Sequence, residues 1–450
     1  MQKSDWKKCK LGDVAEITSS KRIFLADYVK EGVPFYRSKE IIERSSGRSI
    51  TTPLFISEEK YEQIINKYGA PIAGDLLLTS VGTLGIPYRV SPTDKFYFKD
   101  GNLTWFRKLN NILCDYLYYF FLSPIGKEKL ALIAIGSTQK ALTINALQGV
   151  TLSLPPLDEQ KRIADILGAF DDKIELLQKQ NKTLEDMAKA LFKSWFVDFD
   201  VVRAKQKGLP KADIMREYHL TDELYDLFPS GFADSPLGPI PSGWEVKNVG
   251  ELLAFSIGGG WGNEEESESF PIKAPVIRGT DIPSLRSSGA YNDVPVRFHK
   301  KSNHTSRELK EGDIVLEVAG GSKGQPVGRA LFVSDYIIKS LPKVICASFC
   351  KLLRPNKKLL LSELFYLYLD MMYQTGEIEQ YQVQSTGISN FQFKQFCEDK
   401  QFVIPNTELQ KKLSLNVYID KIGNNKKQIQ TLTELRDTLL PRLISGKIRV

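Results

Sequence analysis

The chain has 450 residues, 42% hydrophobic and 26% charged, which sets an expectation of roughly two to four domains with real cores and excludes a disordered chain. Five scattered cysteines exclude a disulfide scaffold, no apolar run follows the first lysines as in a signal peptide, and no stretch of about 18 apolar residues spans a membrane, so a cytoplasmic protein with reduced thiols is expected. The net charge of +7 is uneven: residues 1–157 carry +6 and 404–450 carry +5, whereas 241–403 are neutral, which suits a polyanionic partner without requiring one.

In chain order, residues 1–157 read as an α+β lobe. It has short β-like runs at Asp75–Thr79 and Phe96–Phe98, broken by glycine and proline, and a short aromatic helix at Tyr116–Leu122. Residues 158–200 read as a long amphipathic helix. Ile163, Phe170, Leu177, Leu184 and Leu191 fall seven apart, Ile166, Ile174 and Met187 widen the stripe, and Asp158 after two prolines is the expected N-cap. Residues 201–240, with Gly208, Pro210, Pro229, Pro236 and Pro239, read as a connector. Residues 241–403 form a second α+β lobe, with β-like runs at Ile314–Val318 and Lys343–Phe349 and an aromatic helix at Leu364–Leu369. Residues 404–450 form a second long helix. Its seam is Leu415, Tyr418, Ile422, Asn425, Ile429, Leu432, Arg436, Leu439 and Leu443, and Thr407 with Gln410 is the expected capping box. At roughly 40 residues, each helix reaches about 60 Å. Sustained three–four spacing favours pairing of the two helices over separate packing of each on its own lobe, with Asn425 and Arg436 as polar residues able to fix register.

The chain repeats itself. Trp6–Gly12–Asp13 recurs as Trp244–Gly250–Glu251, PFYRSKEI (34–41) as PVIRGTDI (275–282), Gly74–Asp75–Leu76 as Gly312–Asp313–Ile314, and the run at 82–85 as Gly-Ser-Lys-Gly at 321–324. Ser137–Thr138 recurs as Ser385–Thr386, and PPLDEQK (155–161) as PNTELQK (405–411). Six matches in one order at nearly one offset define two copies of one unit, a lobe followed by a long helix.

Catalytic constellations are missing. There is no GxxxxGK[ST] loop and no Asn-Pro-Pro-aromatic motif. The glycine run Gly258–Gly262 reads as a loop, and Glu159–Gln160–Lys161 as part of a helix cap. The three histidines, His219, His299 and His304, read as surface residues without a completing ligand set or a triad. A binding or organising protein follows.

Several strings then carry a resemblance: LPPLDEQKRIADIL (154–167), LFKSWFVDFD (191–200), LFPSGF (227–232), LGPIPSGWE (237–245) and LLPRLISGKIRV (439–450). Across essentially the whole chain the sequence resembles the specificity subunit of type I restriction-modification enzymes; the second helix departs from the family pattern in opening with PNTELQKK. The resemblance implies an α+β fold with two globular target recognition domains separated by two long antiparallel coiled-coil helices in a pseudo-twofold repeat. It implies that each lobe reads one half of a split double-stranded DNA site, and that two methyltransferase subunits dock on the helices. The same resemblance implies that restriction subunits join through them, that S-adenosylmethionine, ATP and Mg2+ belong to those partners, and that this chain is not an enzyme and holds no cofactor.

Arg37 and Arg278 occupy one place in both repeats and are expected on backbone phosphate, the alternative being structural pairing with Glu40 and Asp281. Lys39 and Thr280 differ at one repeat position, as expected of residues reading different bases. Thr83 in the first glycine loop, Ser322 and Lys323 in the second, and Thr138, Gln139, Lys140 and Thr386 in polar loops complete the DNA-binding candidates; ordinary hairpin turns are the alternative for the glycine loops. The competing function is a coiled-coil scaffold with two protein-binding lobes, to which the acidic run Glu264–Glu266 and the neutral second lobe give weight.

Overall fold

Runs such as Leu76–Leu77–Leu78 are too apolar for a half-solvated strand, and they become central strands covered on both faces. The computed structural model describes residues 6–46, 50–137, 139–320, 326–385, 387–413 and 415–450, and divides into two compact units. One comprises residues 1–172 with 432–450, the other residues 173–431.

In the first unit an antiparallel sheet runs in the order Glu16–Thr18, Leu103–Arg107, Leu76–Thr79, Pro87–Arg89. A second sheet orders Tyr28–Val29, Phe55–Ile56, Val33–Tyr36 and Tyr97–Phe98, its last pair parallel. Lys7–Lys10 pairs with Thr151–Leu154 just before the long helix begins. The core beneath joins Leu11, Phe106, Tyr116, Phe121 and Leu147 to Ile163 and Leu167 of that helix and Leu443 of the C-terminal one.

The second unit repeats this plan. Its four-stranded sheet is Leu253–Gly258, Cys350–Pro355, Ile314–Glu317, Ala330–Phe332. Ile272–Ile277 pairs in parallel with Ile345–Cys346, and Glu245–Asn248 pairs with Gln401–Ile404. A small third sheet, Ala319–Gly320, Ile388–Phe391, Gln382–Ser385, has its counterpart in the first unit as single bridges from Ala141 to Val81 and Ile135. The internal duplication is therefore one of topology as well as of sequence.

Some expectations are corrected. Lys343–Phe349 contains strand only at Ile345–Cys346, and the 201–240 connector itself carries secondary structure. Three short helices, Asp200–Gln206, Lys211–Glu217 and Asp222–Leu227, bury Val201, Val202, Ile214 and Phe228 against Trp195, Phe196 and Trp244. The prolines and glycines there punctuate helices instead of preventing them. The first long helix spans Leu157–Phe196, 40 residues, with Asp158 inside its first turn and the Pro156 carbonyl receiving the Gln160 N–H. The second is shorter: Thr407–Lys412, then Leu415–Ile444, 30 residues and about 45 Å.

The seam is correct in detail. Among its residues whose burial is described, from Tyr418 to Leu443, none is exposed, whereas Met187, expected to widen the first stripe, is 47% exposed. The helices pair antiparallel. In the first unit Asp171 meets Arg436 at 2.7 Å; in the second, ten residues on, Asn181 meets Asn425, eleven residues back, at 2.8 Å.

The expected capping box does not form. Asn406 is the cap, accepting the Leu409 N–H at 2.8 Å. Gln410 turns into the lobe instead, donating to the carbonyls of Leu359 and Pro405 (2.9 and 2.8 Å) and accepting the Leu361 N–H (2.9 Å). Gln160 does the same in the first unit, donating to Asn111 and Pro155 (3.0 and 2.9 Å) and accepting the Leu113 N–H (2.9 Å). Neighbouring Glu159 is likewise no cap: it holds the Trp6 indole N–H and the Arg449 guanidinium.

Both glutamines are buried, so truncation strands backbone groups away from water. Gln160→Ala and Gln410→Ala are each expected to destabilise the chain by about 1–3 kcal/mol for each group left unpaired. Thermal denaturation of the single variants reads this as a lowered Tm.

Candidate nucleic-acid interface

The strand Val33–Tyr36 ends at Arg37, which opens the helix Ser38–Ser45. Arg37 forms a closed clasp with Glu40: its backbone N–H donates to Oε2 at 2.8 Å, its Nε to Oε2 at 3.1 Å and its Nη2 to Oε1 at 2.5 Å. Burial pushes the Glu40 carboxyl up, but the guanidinium and the amide together outweigh it and hold the group below its usual range. Arg278 makes the same clasp with Asp281, at 2.8, 3.0 and 2.7 Å. The repeated arginine therefore has the structural partner weighed from sequence, with about a third of each side chain left facing solvent.

The other described candidates of the first lobe, Lys39, Thr83, Gln139 and Lys140, gather at this edge. The carbonyl of Asn102 accepts from Ser38 Oγ at 3.1 Å and from the Ser80 N–H at 2.8 Å, tying the start of the Arg37 helix to the segment that leads into the glycine loop. The Leu142 N–H donates to the Ser80 carbonyl at 2.9 Å, and Val81 bridges Ala141, so the chain just after Gln139 and Lys140 runs beside the start of the 82–85 loop. Gly82 and Gly85 have φ of +79° and +78°, so the turn requires them. It is a hairpin turn, joining two paired strands, and it presents Thr83 outward. Gln139 and Lys140 are exposed; Lys39 is half exposed, 3.0 Å from Thr52 Oγ1.

In the second lobe Thr280 is exposed, and Gly279 passes so close to Glu317 that a Cβ there would lie 2.4 Å from the carboxylate. Ala319–Gly320 pairs with Ser389–Asn390, and that strand pairs in turn with Gln382–Ser385. Thr138, Ser322, Lys323 and Thr386 lie outside the described residues. Arg278, Thr280 and Gly320 border a cavity of about 650 Å³. Asn102 had no signal in the sequence; its part is played by a backbone carbonyl, which any residue supplies.

The histidine reading is partly overturned. His219 is exposed, but His299 and His304 are buried, with His304 Nε2 2.8 Å from the Lys343 carbonyl. Among the described residues no group of three or more His, Cys, Asp or Glu side chains is placed to hold a metal, and no helix is long and apolar enough to cross a membrane.

The type I restriction modification DNA specificity domain matches the chain twice, over residues 3–186 and 241–434, and the chain belongs to that family. The type I restriction enzyme MjaIX specificity subunit of Methanocaldococcus jannaschii is 26% identical, over 99% of this chain and 94% of its own length. The HindI specificity subunit of Haemophilus influenzae is 24% identical, over 99% and 100%. The crystal structure of the type I restriction-modification S subunit from M. genitalium shares the fold, with a TM-score of 0.52, 15% identity and 98% and 97% of the two chains covered. The chain is thus a specificity subunit of a type I restriction-modification system.

Neither ring nitrogen of His299 has a partner among the described residues, and burial, then the neighbouring His304, lowers its pKa from the ordinary 6.5. The folded state resists a proton that the unfolded state accepts, so this contribution to stability is full above pH 6.5 and declines below it. Thermal denaturation from pH 7.5 to 5.5 is expected to show Tm falling on the acid side, with a flatter slope in His299→Phe.

Proposed function

We propose that this chain reads a bipartite duplex DNA site, one half with each lobe, and docks two methyltransferase subunits on its paired helices, with restriction subunits joining through them. The observation that carries the reading is a shared backbone frame with divergent side chains: the same strands and clasped arginine occur twice, yet Lys39 in one lobe stands where Thr280 stands in the other. A common frame with different reading residues suits two unlike half-sites. Arg37 and Arg278 offer their outer faces to phosphate. Lys39, Thr83, Gln139 and Thr280 reach for bases, Gln139 having the paired donor and acceptor that adenine requires. Lys140 takes phosphate or guanine. Thr138, Ser322, Lys323 and Thr386 join them by their place in the repeat.

Leu176 and Met187 on the first helix, and Val417 and Leu435 on the second, are 47%, 47%, 64% and 48% exposed, which supports helix faces that await a partner. Bond-making, with S-adenosylmethionine, ATP and Mg2+, resides in the partner subunits.

Mapping methylated adenines genome-wide with and without this gene tests the reading: loss of one split motif is expected, and an unchanged map contradicts it. In the assembled complex, Lys140→Ala is expected to reduce the slope of log K against log salt by about 0.9 if the lysine neutralises a phosphate. Gln139→Ala is expected to cost about 1–3 kcal/mol at a single base position, measured by competition binding with substituted duplexes.

A further inference from the structure

The glycine run Gly258–Gly262 and the cavity of the second lobe belong to one device. The Gly259 N–H donates to the Cys350 carbonyl and the Gly260 N–H to the Cys346 carbonyl, both at 2.9 Å. A Cβ on Gly259 would lie 2.1 Å from the Ala347 carbonyl oxygen, so only glycine lets this backbone press against residues 346–350. That close approach delivers Trp261 to the cavity rim beside Phe349. Trp261 is 39% and Phe349 57% exposed. The Arg297 guanidinium lies 4.9 Å from the Trp261 ring centre and is ion-paired with Glu264 at 3.1 Å, which holds the indole in place.

Phe349 stands in the second lobe where Asn102 stands in the first. Its carbonyl accepts the Val318 N–H at 2.8 Å, as the Asn102 carbonyl accepts the Ser80 N–H at 2.8 Å, and Ser80 and Val318 are one repeat apart. The backbone duty is the same and the side chain differs, polar in one lobe and aromatic in the other. Thr280 and Arg278 border the same cavity, and Arg329 closes its charged wall by satisfying Glu317 through two bonds of 2.7 and 2.6 Å. The wall thus makes little demand for a polar ligand, while the rim presents two exposed rings.

We propose that Trp261 and Phe349 are specificity-determining residues of the second lobe, reading the 5-methyl group of a thymine in its half-site. This rests on the DNA-reading function proposed above. In duplex DNA the apolar group offered in the major groove is the thymine methyl. The opening of about 650 Å³ admits a base edge, and an indole already held by Arg297 loses little freedom on contact.

The test uses the full chain assembled with its methyltransferase subunits. The split site is first selected from a library of randomised duplexes, and each thymine of the second lobe's half is then replaced by deoxyuridine, which removes the methyl alone. One replacement is expected to weaken wild-type binding about three- to fivefold, the worth of one buried methyl group. Trp261→Ala and Phe349→Ala are expected to weaken binding to unmodified DNA at least as much and to become indifferent to that replacement, while discrimination in the other half is retained, which also shows that the variants are folded. The proposal is overturned if no thymine replacement matters, if the half-site contains no thymine, or if the variants respond to the replacement as wild type does. A wild-type complex that selects no sequence overturns the DNA-reading function itself; selection of the same thymine in the second lobe's half by both variants overturns the rim proposal alone.

Discussion

Two amide side chains buried in an apolar helix seam must find each other or remain unpaired. Asn181 and Asn425 meet, and sliding either helix by one turn would separate them and bury both without a partner. Asp171 and Arg436 impose the same register in the other unit through a charged pair. Because both helices run antiparallel in this one register, residue position along one helix dictates what it faces on the other. The lobes that carry the candidate interface are held at the start of each helical segment by equally specific means.

That attachment is the repeated glutamine. Gln160 and Gln410 each bind one amide and two carbonyls of the loop before their helix and of the turn leading to the lobe's aromatic helix, so lobe and helix are joined at a point where neither can rotate without losing three bonds. Duplication preserved this joint and the arginine–carboxylate clasp, and left the exposed side chains free to diverge. The proposed role needs rigid joints and variable tips, and the two copies divide along that line.

Much of this was legible in the sequence because it is periodic. Seven-residue spacing exposed the helices, the nearly constant offset between repeats exposed the duplication, and polar residues in the seam marked where register is fixed. What was misread involved side chains with two possible partners. A glutamine three residues into a helix has the spacing of a capping box, and only packing shows that Gln410 faces inward and that Asn406 caps. Prolines and glycines at 201–240 marked a connector, but not that Val201, Ile214 and Phe228 within it have apolar neighbours to bury against. The arginine shared by both repeats carried two readings, and the clasp geometry identified its structural partner. The parts of the candidate interface made by backbone carbonyls, such as that of Asn102, leave no residue-type signature.

If, as proposed, each lobe reads one half of a split site, the register of the paired helices is what spaces those halves. Seven residues inserted into both helices, between the Asp171–Arg436 and Asn181–Asn425 contacts, preserve the seam and lengthen the pair by about 10 Å. Selection of split sites by the assembled complex is the direct measurement. The account predicts unchanged half-sites with a gap longer by roughly three base pairs, at about 3.4 Å each; half-sites read with the original gap would contradict it.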